Sequence, residues 1–215
     1  MTALTAGDLA SAVEELSAID PDLAAVVDRY GLPPLWARPP GFATLTFIIL
    51  EQQVSLASAR AAFERLTAAT VRLTPTTFCR LDDGELLAIG FSRQKARYVR
   101  GLATEILAGH LDLDAVEWMD DEEARAALMA MVGIGPWTAD IYLLLALGRP
   151  DVWPIGDLAL VTAVREVKRL AARPSTDELV ALAEPWRPWR SVAARLFWHD
   201  YLSRRGQRDA GPELL

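Results

Sequence analysis

Apolar residues recur along this chain at spacings of three and four, with charged and small polar residues between them, which is the period of a helix with one face buried. Residues 8–30 follow that period with acids on the outer positions, and Gly31, Pro33 and Pro34 end it. Pro39-Pro40-Gly41 opens a second long segment, Phe42 to Ala68, rich in Ala and Leu. Further helices are predicted at 81–88, 94–107, 120–131, 136–147, 157–170, 176–183 and 188–204, with another short one starting at Thr74 or Thr76. Gly90 and Gly109 read as helix stops. Strand signals are weak, and the 71–78 segment is too short to build a sheet. The pattern predicts an all-α fold of nine or ten helices with short loops. Pro-rich turns at Pro39-Pro40 and Arg149-Pro150 predict two helical lobes, residues 1–40 plus 150–215 and residues 41–149, with a cleft between them.

Composition narrows the class. The 215 residues are 52% hydrophobic and 24% charged, the balance of a soluble globular protein. No apolar run reaches membrane-spanning length and the N-terminus lacks a signal-peptide pattern, so the expectation is a cytoplasmic, bacterial-type protein that is monomeric by default. One cysteine, Cys79, excludes an internal disulfide framework and a four-cysteine cluster. His110 and His199 are too few and too isolated to make a transition-metal site.

The net charge of −7 argues on its face against a nucleic-acid partner, but the charges are unevenly spread. Arg93, Lys95, Arg97 and Arg100 form one run without an acid, and six arginines between 186 and 208 face Asp200 alone. Acids crowd residues 112–123. Each basic run reads either as a solvated helix face or as a surface that tracks phosphates.

The most informative stretch is Met131-Val132-Gly133-Ile134-Gly135-Pro136-Trp137-Thr138-Ala139-Asp140, followed by Pro154-Ile155-Gly156-Asp157. Gly-Ile-Gly between two helical patterns is a tight turn with bare amides at the head of a new helix, a setting that attracts phosphate. Asp157 then stands alone at the start of the next helix. A phosphate clamp and a lone carboxylate suggest chemistry on a nucleic acid.

In these residues the chain resembles the helix-hairpin-helix DNA glycosylases of the HhH-GPD superfamily, and within them the 3-methyladenine DNA glycosylase II type. The resemblance runs from about residue 36 to about 205. It is carried in order by Glu51-Gln52-Gln53-Val54-Ser55, Gly90-Phe91-Ser92 with Lys95-Ala96, the hairpin Gly133 to Ala139 within about 120–147, Asp151-Val152-Trp153-Pro154 leading to Asp157, and Trp186 to Ser191. It implies the two-lobed fold with an active-site cleft, without the extra N-terminal sheet domain of larger members. It implies a base excision enzyme that flips an alkylated base, such as 3-methyladenine or 7-methylguanine, out of double-stranded DNA. Hydrolysis of the N-glycosidic bond then leaves an abasic site. The enzyme would be nucleoid-associated when bound to DNA.

The resemblance also assigns roles. Asp157 matches the catalytic aspartate, and Asp before a helix is equally a common cap; the two roles are compatible. Gln53 matches the wedge that fills the vacated stack, with Gln52 beside it, although both could instead cap or cross-link helices. Glu51 stands where the family often has glycine. Trp137 and Trp198 match aromatic positions of the base pocket, for which core packing is the plain alternative; Trp153 is a rim candidate. Ile141 replaces a pocket tyrosine and predicts a roomier pocket. Backbone amides at Gly133, Gly135, Trp137 and Thr138 would bind phosphate. Family members also hold a monovalent cation, Na+ or K+, through main-chain carbonyls that here belong to Met129, Met131 and Ile134; no cofactor is required. Bifunctional relatives use a hairpin lysine where this chain has Trp137, and no lysine lies between 96 and 167, so the expected enzyme is monofunctional. The alternative is a non-enzymatic, sequence-independent DNA-binding hairpin module.

Overall fold

Caps and buried polar groups cut the long apolar runs into shorter helices than the periodicity suggests. A computed structural model describes residues 3–206; Arg208 of the C-terminal basic run and the rest of 207–215 lie outside the described residues. Among the described residues every regular element is helical, with thirteen α-helices and one 3-10 turn. The chain divides into two units, one comprising Arg38–Leu147 and the other residues 3–37 with 148–206.

In the first unit, α3 (Phe42–Glu51) and α10 (Pro136–Leu145) form the centre. Both are apolar on almost every side, as expected of helices with no solvent face. Nine of the ten α3 residues are buried. Around them lie α4 (Leu56–Thr70), α5 (Pro75–Phe78), α6 (Asp83–Ile89), α7 (Arg93–Leu107), α8 (Leu113–Val116) and α9 (Asp121–Met129). The predicted 42–68 helix is thus two helices. The break falls at residues 52–55, where Ser55 caps α4 by accepting from the Ser58 amide. The 71–78 segment resolves to the short α5, begun by a reciprocal Thr74–Thr77 capping box. In the core Phe42 meets Phe78 edge to face with centroids 6.0 Å apart, and Phe91 lies tilted against Phe78 at 5.7 Å.

In the second unit, the predicted 8–30 helix is also two, α1 (Ala6–Ile19) and α2 (Pro21–Tyr30). Asp20 divides them: its carboxylate accepts the Asp22 and Leu23 amides, and Pro21 at the first helical position needs no N–H partner. The remaining elements are α11 (Leu158–Val167), α12 (Thr176–Ala183), a 3-10 turn (Glu184–Trp186) and α13 (Arg190–Arg204). Helix α13 is the axis of this unit, buried continuously from Ser191 to Asp200, and packs on α1, α2 and α11.

Asp20 also receives Lys168 Nζ at 2.6 and 2.7 Å and the Trp186 indole N–H at 2.8 Å. Burial pushes this carboxyl up, but the ammonium and indole outweigh it and hold it below its ordinary value. A depressed carboxyl stabilises the fold above its unfolded pKa of about 3.9 and ceases to do so as pH falls through the folded value. The wild-type thermal midpoint is therefore expected to drop steeply between about pH 5 and pH 2, and that of Asp20→Asn, lower to begin with, to fall less. Parallel pH profiles for the two proteins would contradict this.

Candidate active site

The hairpin of the first unit is built from α9, the turn 130–135 and α10. A capping box between Asp120 and Glu123 starts α9. Its end turns back through two short bonds, Met131 N–H to Leu128 O and Ile134 N–H to Met131 O. Gly133 takes φ +95°, and a Cβ there would lie 2.2 Å from Cγ of Tyr98 on α7. Only glycine lets the hairpin close over that ring. Gly135 then opens α10 with no side chain capping it and Pro136 at the first position. Arg125 of α9 donates to Asp140 of α10 at 2.7 Å. Burial disfavours the Arg125 charge, yet the Asp140 carboxylate holds its pKa above the ordinary value, so the two hairpin helices are clamped by a charge-assisted bond.

The loop between α3 and α4 is joined to this hairpin. Gln52 donates its amide to the Gly133 carbonyl at 2.9 Å and to the Thr138 hydroxyl at 3.0 Å. Its side chain thus cross-links the loop to the hairpin. Gln53 is exposed, with φ +56°. Trp137 is half-buried and Ile141 is 4% exposed.

In the second unit Asp157 is the N-cap of α11, its Oδ1 accepting the Leu160 amide at 2.7 Å. The same oxygen accepts the Trp198 indole N–H at 3.2 Å, so the carboxylate is half-buried and oriented by two donors from different helices. The loop before it is stapled to α13. Ser191 Oγ donates to the Arg149 carbonyl at 2.6 Å and accepts the Val152 amide at 2.9 Å. Asp151 receives Arg187 and Arg190, each at 2.7 Å. Trp153, a rim candidate in sequence, is a core residue here: it is 5% exposed and packs on Trp186 and Phe197 with centroids at 5.4 and 6.3 Å. The bulk of an indole is better buried against two other aromatics than left at an edge.

The basic runs shrink as candidate phosphate surfaces. On α7, Lys95 Nζ donates to Leu50 O at 2.7 Å and Arg100 pairs with Asp83, leaving Arg93 and Arg97 exposed. In the C-terminal run Arg187 and Arg190 bind Asp151, Arg195 is buried, and Arg204 binds Glu166 and Asp200. Arg187, Arg190 and Arg204 thus serve acids of the same unit, and Arg195 donates to the Leu35 and Ser191 carbonyls. Sequence reading missed Arg38 and Tyr98; the only signal for the first was an acid, Glu51, inside an apolar run that calls for a cation. Among the described residues no group of three His, Cys, Asp or Glu side chains could hold a metal, and no helix is long and apolar enough to cross a membrane.

Residues 47–188 match the family model of the HhH-GPD superfamily base excision DNA repair proteins. The DNA-3-methyladenine glycosylase of Bacillus subtilis is 31% identical over 127 residues, covering 59% of this chain and 39% of that protein. Among solved structures, the 3-methyladenine DNA glycosylase Mag1 of Schizosaccharomyces pombe, in complex with abasic DNA, superimposes with a TM-score of 0.81 at 26% identity over 88% of this chain and 95% of that one. The DNA-3-methyladenine glycosidase of Bacillus halodurans gives 0.77 at 26% identity over 91% of each chain. The chain spans 39% to 64% of the length of the first curated relatives it matches. With the hairpin, the capped aspartate and this match over most of its length, the chain belongs to the HhH-GPD superfamily of base excision DNA repair proteins, and within it is similar to the 3-methyladenine DNA glycosylases.

Proposed function

We propose that this protein is a monofunctional DNA glycosylase that hydrolyses the N-glycosidic bond of alkylated bases in duplex DNA and leaves an abasic site. The observation that carries the reading is the Asp157 carboxylate, held by the Leu160 amide and the Trp198 indole on one oxygen. As the base departs, positive charge develops at C1′ of the deoxyribose, and a fixed carboxylate stabilises it without reorganising. Water then bonds to C1′ as the C1′–N bond breaks, and its proton passes to the carboxylate or to solvent. A base alkylated at N3 or N7 is already cationic and leaves neutral, so no acid is needed to expel it.

The remaining parts follow from the family. Gln53 would fill the stack when the base is extruded. Trp137 and Trp198 would each offer an aromatic face to an electron-poor base, and Ile141 would leave more room than the tyrosine it replaces. The amides of Gly133, Gly135, Trp137 and Thr138 would bind a backbone phosphate. The carbonyls of Met129, Met131 and Ile134 would hold Na+ or K+. Met129 ends α9, where the helix dipole is negative, and the Met131 oxygen, accepting Ile134 N–H at 3.1 Å, keeps a second lone pair. Bound there, the ion would add positive charge beside the phosphate.

The test is base-release profiling from alkylated duplex DNA by the full chain, with borohydride present in a parallel reaction. The expected result is release of several alkylated bases, abasic product, and no covalent enzyme–DNA adduct. A trapped adduct would overturn the monofunctional assignment, because a Schiff base requires an amine nucleophile. Release of 3-methyladenine alone would overturn the broad pocket.

A further inference from the structure

Glu51 is an acid in the wrong place twice over. It is the last residue of α3, where the helix dipole disfavours negative charge, and its side chain is only 6% exposed, where an unpaired carboxylate is costly. Arg38 answers both. Its guanidinium, 1% exposed, meets Glu51 as a fork, Nη2 to Oε1 at 2.7 Å and Nη1 to Oε2 at 2.9 Å, and lies 4.6 Å from the centre of the Phe47 ring. Arg38 is itself fixed: its amide donates to Leu145 O at 2.8 Å, and three residues on the Gly41 amide donates to the Tyr142 hydroxyl at 2.8 Å. Burial of Tyr142 pushes its phenol up to about 12, so this hydroxyl stays protonated at any working pH.

Two more side chains hold the same short stretch. Lys95 places its ammonium on Leu50 O, and Gln52 binds the hairpin through Gly133 and Thr138. Residues 50, 51 and 52 are thus each tied to a different part of the unit. Immediately beyond them Gln53 adopts φ +56°, a left-handed conformation that a non-glycine residue keeps only when its surroundings over-determine it. Gln53 and Val54 are exposed at this tip. A strained, exposed tip on a triply anchored stem is suited to entering a base stack without collapsing, since the ordering cost is met in the free protein.

We propose that the Arg38–Glu51 ion pair is a positioning device for base extrusion, holding the 52–55 loop so that Gln53 is presented to the duplex in its left-handed conformation. The proposal rests on the wedge role of Gln53 and adds what makes that role possible in this chain, which has Glu51 where the family often has glycine. A well-packed apolar pair of similar volume can replace a buried ion pair with little loss of stability, whereas Lys in place of Arg keeps the charge and loses the fork. Both routes separate positioning from folding.

The experiment compares excision of an alkylated base from duplex and from single-stranded DNA, where no base need be unstacked. It is paired with the fluorescence of 2-aminopurine stacked beside an abasic-site analogue in the duplex. The variants are Arg38→Lys, the double variant Arg38→Met with Glu51→Leu, and Gln53→Ala as reference. Gln53→Ala is expected to lower the duplex-to-single-strand ratio about tenfold. Both Arg38 variants are expected to do the same and to lose the 2-aminopurine signal, with no further fall when either is combined with Gln53→Ala, because groups acting as one unit are not additive. An unchanged ratio for Gln53→Ala would remove the wedge reading itself. A normal ratio in the Arg38 variants, beside a lowered one for Gln53→Ala, would overturn the positioning role alone. Equal losses on duplex and single strand would assign the ion pair to folding only.

Discussion

Asp157→Asn is expected to lower base release by about a thousandfold, the loss typical of removing a preorganised charge-stabilising group, while affinity for an abasic duplex stays at the wild-type level or rises. The substitution is informative because Asn caps a helix as well as Asp does. Its amide oxygen can still accept from the Leu160 amide and the Trp198 indole, the two donors that meet Oδ1 now. Helix α11 and the packing of Trp198 should therefore survive, and only the negative charge is removed. Single-turnover release from alkylated duplex DNA, with binding measured in parallel, decides the matter. Full excision by the variant would reduce Asp157 to a cap and pass the catalytic role to another group, whereas DNA binding without excision by the wild-type chain would leave the protein a DNA-binding module.

Gly133→Ala is expected to have the second largest effect, weakening binding to an abasic duplex about a hundredfold and lowering the thermal midpoint. Two costs combine. The residue sits at φ +95°, where a side chain is strained by about 1–3 kcal/mol. The new methyl would also start 2.2 Å from Tyr98 Cγ, inside the ring's own volume. Relief requires the turn to move, and the turn carries both the Gly133 carbonyl that Gln52 binds and the amides that open α10. Adding Tyr98→Ala should return part of the midpoint by removing the ring, while the 2.7 Å approach to Cβ of residue 98 and the backbone strain remain. Wild-type affinity in the single variant would show that the hairpin does not hold the DNA backbone.

The elements most legible in the sequence were those with local causes. The Gly133-to-Ala139 hairpin and the helix beginning at Asp157 are set by residues within a few positions of each other, and the structure has α10 from Pro136 and α11 from Leu158. The break at 52–55 was not legible, because the apolar pattern runs through it. What stops α3 is the burial of Glu51 against Arg38 and the grip of Lys95 and Gln52, partners that lie 13, 45 and more than 80 residues away from what they bind. The division at Asp20 had a local signature, an acid before proline, but the continuous period masked it. Helix α13 misled in the opposite sense. Its arginines read as a solvated face or a phosphate surface, yet Arg190 and Arg204 bind acids from other segments, Asp151 and Glu166, and Arg195 is buried against the Leu35 and Ser191 carbonyls. For the same reason Trp153 could not be told from a pocket residue until its two aromatic neighbours were known.

Helix α13 also bears on how this unit tolerates change. Its first turn grips the 149–152 segment through Ser191 and Arg190, and two turns later its Trp198 touches the aspartate to which that segment leads. The aspartate's position is thus inherited from a helix some forty residues downstream, and the intervening α11 and α12 are bracketed between two fixed points. Grafting the Asp157 loop onto another scaffold would therefore transplant a carboxylate without its coordinates unless α13 travelled with it. Insertions between α11 and α12, in contrast, would leave both ends of the bracket in register.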